Sequence, residues 1–150
     1  MAALTAARDT RELITGAQKY LRHVEPAAGA KLYIGGIAAL NAEGKAIPAG
    51  DTADLVVVGR VEDIDEDTGL VTVCSGVYLY DNGTEGEKLT VADLNKPVYA
   101  LDDQTLGKAG GTNKIVAGVL RDVMPNGQLA VEIGNIVLPT SPVVSGEEGK

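Results

Sequence analysis

Short runs of Val, Ile and Leu alternate along this chain with polar breaks that carry glycine, a pattern that predicts many short strands joined by tight turns. Residues 55–64 form the clearest strand, and the run Leu55-Val56-Val57-Val58 suits burial on both faces. Residues 65–69 predict a hairpin turn, and residues 70–80 return as one strand. On it Val71, Val73, Ser75, Val77 and Leu79 share one face, with Leu70, Thr72, Cys74, Gly76, Tyr78 and Tyr80 on the other. Residues 31–40 are β-like, and the Gly35-Gly36 step predicts a bulge or a close backbone approach. A turn at residues 41–44 sends residues 45–48 back along that strand. Residues 81–88 read as a polar loop, and residues 90–94 as one helical turn capped by Thr90. Residues 96–101 form a strand, with Pro97 near its start, where proline is tolerated. Residues 107–112 make a loop tip. Residues 115–123 and 129–133 form a second hairpin around Pro125-Asn126-Gly127.

The first 30 residues differ from the rest. Arg8, Arg11, Arg22 and the only histidine, His23, fall there. Residues 10–21 place Leu13, Ile14, Ala17, Tyr20 and Leu21 on one helical stripe, but Thr15 and Gly16 weaken a helix. The alternative, slightly preferred, is an extended arm with residues 20–24 as a strand. The expected fold is therefore mainly β: a small β-barrel or β-sandwich of short antiparallel strands, with an extended or partly helical N-terminal arm. The arm spans residues 1–30. The β-rich body spans residues 31–150 and has a mobile C-terminal end. A faint internal echo runs through the body. Gly59, Asp63, a turn with Gly69, Val73 and Gly76 match Gly118, Asp122, a turn with Gly127, Val131 and Gly134. It suggests two similar hairpins within one barrel or sandwich.

Composition narrows the core and the partners. There is no Phe or Trp, so Val, Leu, Ile, Ala and a few Tyr rings must build the interior. A net charge of −8 without a basic stripe argues against nucleic acid and against an anionic membrane surface. No run approaches the roughly 18 apolar residues of a membrane helix, and the start predicts no signal peptide. A lone cysteine, Cys74, permits no internal disulfide and reads as a buried strand residue.

Each candidate for chemistry has a plainer explanation. Asp63, Asp65 and Asp67, flanked by Glu62 and Glu66, have the oxygen spacing of a calcium loop. Such a loop also needs Gly at its sixth position and a bidentate acid at its twelfth, where this chain has Thr68 and Cys74. A solvated turn that blunts a sheet edge explains the acids better. Asp102 and Asp103 would point to opposite faces of a strand, poorly placed to share a proton. His23 lies away from any nucleophile motif. Residues 107–112 faintly resemble a phosphate loop but lack the Lys-Ser/Thr ending and the following helix. No catalytic, cofactor or metal site is expected, and the chain does not read as an enzyme.

Several segments, taken in order, carry a resemblance. They are residues 4–10; residues 26–44; Val58-Gly59-Arg60-Val61-Glu62 with Val73 and Gly76-Val77-Tyr78; residues 96–105; and Ile115-Val116-Ala117-Gly118. Together they resemble the small capsid decoration, or cement, proteins of tailed phages and prophages, over most of the chain. The resemblance implies a β body on the outside of an icosahedral head, commonly trimeric, that clamps neighbouring capsid subunits. It also implies an N-terminal arm that touches the capsid. Residues 11–25 depart from the family pattern, being more basic and more helix-like. The implied capsid contacts are Leu4, Thr5, Arg8, Asp9, Thr10 and Arg11, and the oligomer interface would use Tyr33, Tyr78 and Tyr99. The expected partners are the major capsid protein and the chain itself as a homotrimer. The expected location is the outer capsid surface of the virion, after synthesis in the host cytoplasm. The competing expectation is a stand-alone β-barrel that binds a small molecule or glycan in a pocket lined by Tyr33, Tyr78, Tyr80 and Tyr99.

Overall fold

A computed structural model describes residues 2–11 and 21–134. The strands are β1 (Leu21–Val24), β2 (Ile37–Leu40), β3 (Ala46–Pro48), β4 (Val56–Ile64), β5 (Val71–Cys74), β6 (Gly76–Asn82), β7 (Pro97–Ala100), β8 (Thr105–Gly107), β9 (Val116–Val123) and β10 (Leu129–Ile133). The chain is mainly β, as its patterning predicts. Single 3-10 turns occupy Glu85–Glu87 and Val91–Asp93. The second has the predicted Thr90 cap, and Asp93 reaches back to the Thr90 N–H at 2.9 Å. The strand expected within residues 20–24 is β1. The helical stripe over residues 10–21 falls almost wholly outside the described residues.

The strands form two units with one topology. The first is a five-stranded sheet ordered β1-β5-β4-β2-β3, and the second is a closed barrel ordered β10-β6-β8-β7-β9. Their registers correspond residue by residue. Ala38 pairs with Gly59 and Ala39 with Val57, so Val58 is skipped by a bulge. In the second unit Val98 pairs with Gly118 and Tyr99 with Val116, skipping Ala117. Glu62 bulges between β4 and β5 as Arg121 bulges between β9 and β10. The closure corresponds too. In the barrel, β6 meets β8 in parallel at Asn82 and Leu106. In the first unit an isolated parallel bridge joins Pro26 to Ala46, bringing its two edges together. The faint echo in the sequence is thus a tandem repeat of a whole five-stranded unit. This corrects the expectation of two hairpins sharing a single barrel.

The bulges and two glycines let each unit curve. A Cβ on Gly59 would lie 2.8 Å from the Cys74 carbonyl oxygen, and one on Gly118 would overlap the Glu132 carbonyl. The backbones touch there with no side chain between them. Each unit fills its own interior: Ala38, Val58, Val61, Val71 and Val73 in the first; Val98, Leu106, Leu120, Leu129 and Val131, with Tyr78 and Tyr80, in the second. Ile37 and Ala39, on the opposite face of β2 from Ala38, belong to the core of the second unit. The Ile-Ala-Ala run is therefore buried on both faces, as a strand between two cores must be.

Residues 70–80 do not form one strand. The chain leaves the first unit at Cys74 and enters the second at Gly76, with Ser75 alone between β5 and β6. Both faces of the run are buried because each half faces a different core.

The Gly118→Ala variant is expected to lose about 3 kcal/mol through overpacking, and Gly59→Ala should also be destabilised. Gly86→Ala, where an added methyl meets nothing within 4 Å, should stay within about 0.5 kcal/mol of wild type. Urea denaturation of the three variants checks this.

Candidate functional site

The arm is bonded to both units. The Leu4 N–H donates to Asp103 Oδ1 at 2.8 Å, and Gln104 Nε2 donates to the Ala2 carbonyl at 2.7 Å. Arg8 forks onto Asp81 at 3.1 and 2.9 Å and also donates to the Gln104 side chain. The Arg8 N–H reaches the Ile34 carbonyl at 2.7 Å. At Gly35, where φ is 95°, a Cβ would overlap the Arg8 carbonyl. The close approach predicted at the Gly35-Gly36 step is thus made by the arm. Thr10 is 2% exposed; its hydroxyl donates to the Gly35 carbonyl at 2.8 Å and accepts from Arg60 Nε. The Leu79 N–H donates to the Arg11 carbonyl. Ile34, Gly35 and Arg60 belong to the first unit, and Leu79, Asp81, Asp103 and Gln104 to the second. The arm staples them.

This placement divides the residues expected to touch a capsid. Leu4, Arg8 and Thr10 are engaged with the chain's own body. Thr5, Asp9 and Arg11 are exposed.

The tyrosines part company as well. Tyr78 is 2% exposed, under the Arg60 guanidinium at 5.3 Å, with its hydroxyl donating to the Ser75 carbonyl. Tyr80 is fully buried in the same core. Both rings are enclosed in the chain's own core, so Tyr78 is not exposed at the surface, where the expected interface role would need it. The reason is the strand break at Ser75, which turns both rings into the second barrel. Tyr33 and Tyr99 are half-buried. Tyr33 lines a groove on the first unit in which Tyr78, Tyr80 and Tyr99 take no part.

The candidates for chemistry serve the backbone. Asp65 accepts from the Asp67 and Thr68 N–H groups at 2.8 and 3.0 Å, and those bonds hold its carboxyl below the usual range. Asp102 accepts from Gln104 and Thr105 N–H in the same way. Asp103 faces the arm, and burial raises its pKa. His23 is exposed, with Nδ1 3.0 Å from Thr72 Oγ1. Cys74 is buried, 3.3 Å from the Ser75 carbonyl. Among the described residues, no three His, Cys, Asp or Glu side chains gather where they could hold a metal ion.

The loop that faintly resembles a phosphate loop does cradle an anion, supplied by the chain itself. The N–H groups of Ala109, Gly110 and Gly111 all donate to the Glu87 carboxylate at 2.8 to 2.9 Å. Asp51 takes the next two, Thr112 and Asn113, at 2.8 and 2.7 Å. Burial pushes the Glu87 carboxyl up, but its three backbone donors outweigh burial and hold it below the usual range. Asp51 is lowered by its Thr112 and Asn113 bonds. Neither residue stands out in sequence, because each grips a loop far away along the chain.

Each unit has a mouth, at equivalent places. Asn82, which corresponds to Pro26, grips both the N–H and the carbonyl of Leu89, at 2.9 and 2.8 Å. Leu89 is 2% exposed and packs into the second core. Both mouths are open grooves: about 430 Å³ in the second unit, lined by Asn82, Lys88, Asn126 and Gly127 among others, and about 360 Å³ in the first, lined by Pro26, Leu32, Tyr33, Ile64 and Val71.

No protein-family model, no curated protein and no solved structure matches this chain.

Two outcomes are expected. Arg8→Ala should cost about 1–2 kcal/mol through the lost charge-assisted bonds, while Arg11→Ala should be near neutral; urea denaturation checks both. The Glu87 and Asp51 carboxyls titrate below their unfolded values. Their hold on the loop is therefore complete above the ordinary carboxylate range, about pH 4, and is lost as pH falls through the lowered folded values. Amide exchange at residues 109–113 should accelerate in that acid window, and in Glu87→Gln it should already be faster at neutral pH.

Proposed function

We propose that this chain is a non-catalytic virion structural protein that decorates the outside of a phage capsid and bridges major capsid protein subunits. The sequence resemblance over most of the chain supports that reading. The observation that carries it is where the candidate reactive groups go. Asp51, Asp65, Glu87 and Asp102 cap backbone N–H groups, Asp81 and Asp103 hold the arm, and Cys74 is buried. These contacts stiffen turns and loops, which suits a part that must present a fixed outline to a lattice.

The arm enters this reading differently from the sequence-based expectation. Leu4, Arg8 and Thr10 are spent on the body, so removing the arm would weaken the fold as well as any capsid contact. Of the six arm residues named as capsid contacts, Thr5, Asp9 and Arg11 are exposed. Repeated weak contacts across a symmetric oligomer would supply avidity. Half-buried Tyr33 and Tyr99 are the remaining tyrosine candidates for a trimer interface.

Purified protein mixed with heads that lack it should add density to the outer lattice in cryo-microscopy; bare heads would overturn the reading. A Thr5→Ala/Asp9→Ala/Arg11→Ala variant should keep wild-type stability and occupy fewer lattice sites at equal concentration.

A further inference from the structure

The loop between β8 and β9 takes its hold from two carboxylates. The N–H groups of residues 109–113 form an unbroken run of donors. Ala109, Gly110 and Gly111 give theirs to Glu87 at 2.8 to 2.9 Å, and Thr112 and Asn113 give theirs to Asp51 at 2.8 and 2.7 Å. Among the described residues, no main-chain carbonyl takes any of the five. The glycines fit the loop around the two acids. A Cβ on Gly107 would overlap Glu87 Oε1, and one on Gly111 would overlap Asp51 Oδ2.

The two acids belong to different units. Glu87 follows β6 in the second unit, and Asp51 lies between β3 and β4 of the first. The loop is therefore a second tie across the boundary that the arm also crosses. It covers a ring as well. Gly110 packs on half-buried Tyr99, where a Cβ would lie 2.8 Å from the ring Cγ.

No cation shares the load. Lys108 carries its amine to Asp93 Oδ1, 3.6 Å away. Glu85, Lys88, Asp54 and Lys114 flank the two acids in sequence, and among the described residues neither acid forms an ion pair. The charge that Glu87 faces across the loop is that of Asp51.

We propose that residues 107–114 form a proton-operated clasp: ionised Glu87 and Asp51 together hold the loop against the first unit and over Tyr99, and protonation of the pair opens both contacts at once. A protonated carboxyl loses its charge and turns one acceptor oxygen into a donor, so five N–H groups then face too few acceptors. Burial alone would raise the Glu87 carboxyl, but its backbone donors outweigh burial, and Thr112 and Asn113 lower that of Asp51. The clasp is thus shut above about pH 4 and opens as pH falls through the lowered folded values. The run is continuous, so releasing one end loosens the other, and the coupling is reciprocal. The clasp stands apart from the decoration reading.

The test uses the full chain labelled with fluorotyrosine, the Tyr99 fluorine resonance being assigned by Tyr99→Phe. In wild type that resonance should hold its neutral-pH position down to about pH 4. Below that it should move towards the position of free fluorotyrosine, while those of Tyr78 and Tyr80 in the second core stay put. In Asp51→Asn/Glu87→Gln the move should already be made at neutral pH. Raised salt at neutral pH should leave Tyr99 in place, since no ion pair holds the loop. Asp51→Asn alone reads the coupling. Amide exchange at residues 109–111, whose N–H groups go to Glu87, should accelerate about fivefold or more. An unmoved Tyr99 resonance in the double variant overturns the inference, as does unchanged exchange at residues 109–111 in Asp51→Asn. Movement of Tyr99 with salt, or in acid only together with Tyr78 and Tyr80, overturns it too. Should the double variant fold poorly, the wild-type titration and Asp51→Asn decide.

Discussion

Backbone packed directly on backbone is the constraint on which this structure depends. At Gly59 and again at Gly118, the central strand of each unit lies so close to its neighbour that a methyl group has no room. Each glycine adjoins a skipped residue, Val58 or Ala117, where the strand register slips by one. Bulge and glycine together let a short sheet coil tightly enough to bring its edges together. The small core residues follow from that curvature. The closed barrel, with strands of three to eight residues, has a narrow interior, and Val, Ala, Leu and Ile fill it with Tyr78 and Tyr80, without Phe or Trp.

The same constraint explains what was legible in the sequence. Both hairpins, the Asn41 turn and the Thr90 cap could be read because each is set by neighbours within a few residues. The glycine echo was visible because the curving device needs Gly at one fixed place in each unit. The full extent of the repeat was not. Outside the glycines, the strand aspartates Asp63 and Asp122, and the valines Val73 and Val131, what recurs is hydrogen-bond register, which different side chains satisfy equally well. Arg22 and Tyr78 hold corresponding positions on β1 and β6, opposite Val73 and Val131, and no pairwise reading of residues would align them.

Long-range contacts account for the remaining differences. Alternation through residues 70–80 reads as a single strand, yet the chain changes unit at Ser75 and buries both faces, including Tyr78 and Tyr80. The loop at residues 107–112 looks like an anion cradle, and it is one, but its anion, Glu87, lies in a segment that reads only as a polar loop. Of the arm residues named as contacts, Thr5, Asp9 and Arg11 are exposed. Leu4, Arg8 and Thr10 take a structural role, because Asp81, Asp103, Gly35 and Arg60 converge on them from both units.

The junction at Ser75 gives the molecule a mechanical property. A five-stranded sheet and a closed barrel joined by one buried residue have no slack between them, and the arm crosses the same boundary in the opposite sense, tied at Arg8 and Leu4. A load applied to one unit therefore passes to the other through a strand under tension and through the arm's hydrogen bonds, instead of being absorbed by a flexible linker. The chain behaves as a short rigid strut rather than as two beads on a string.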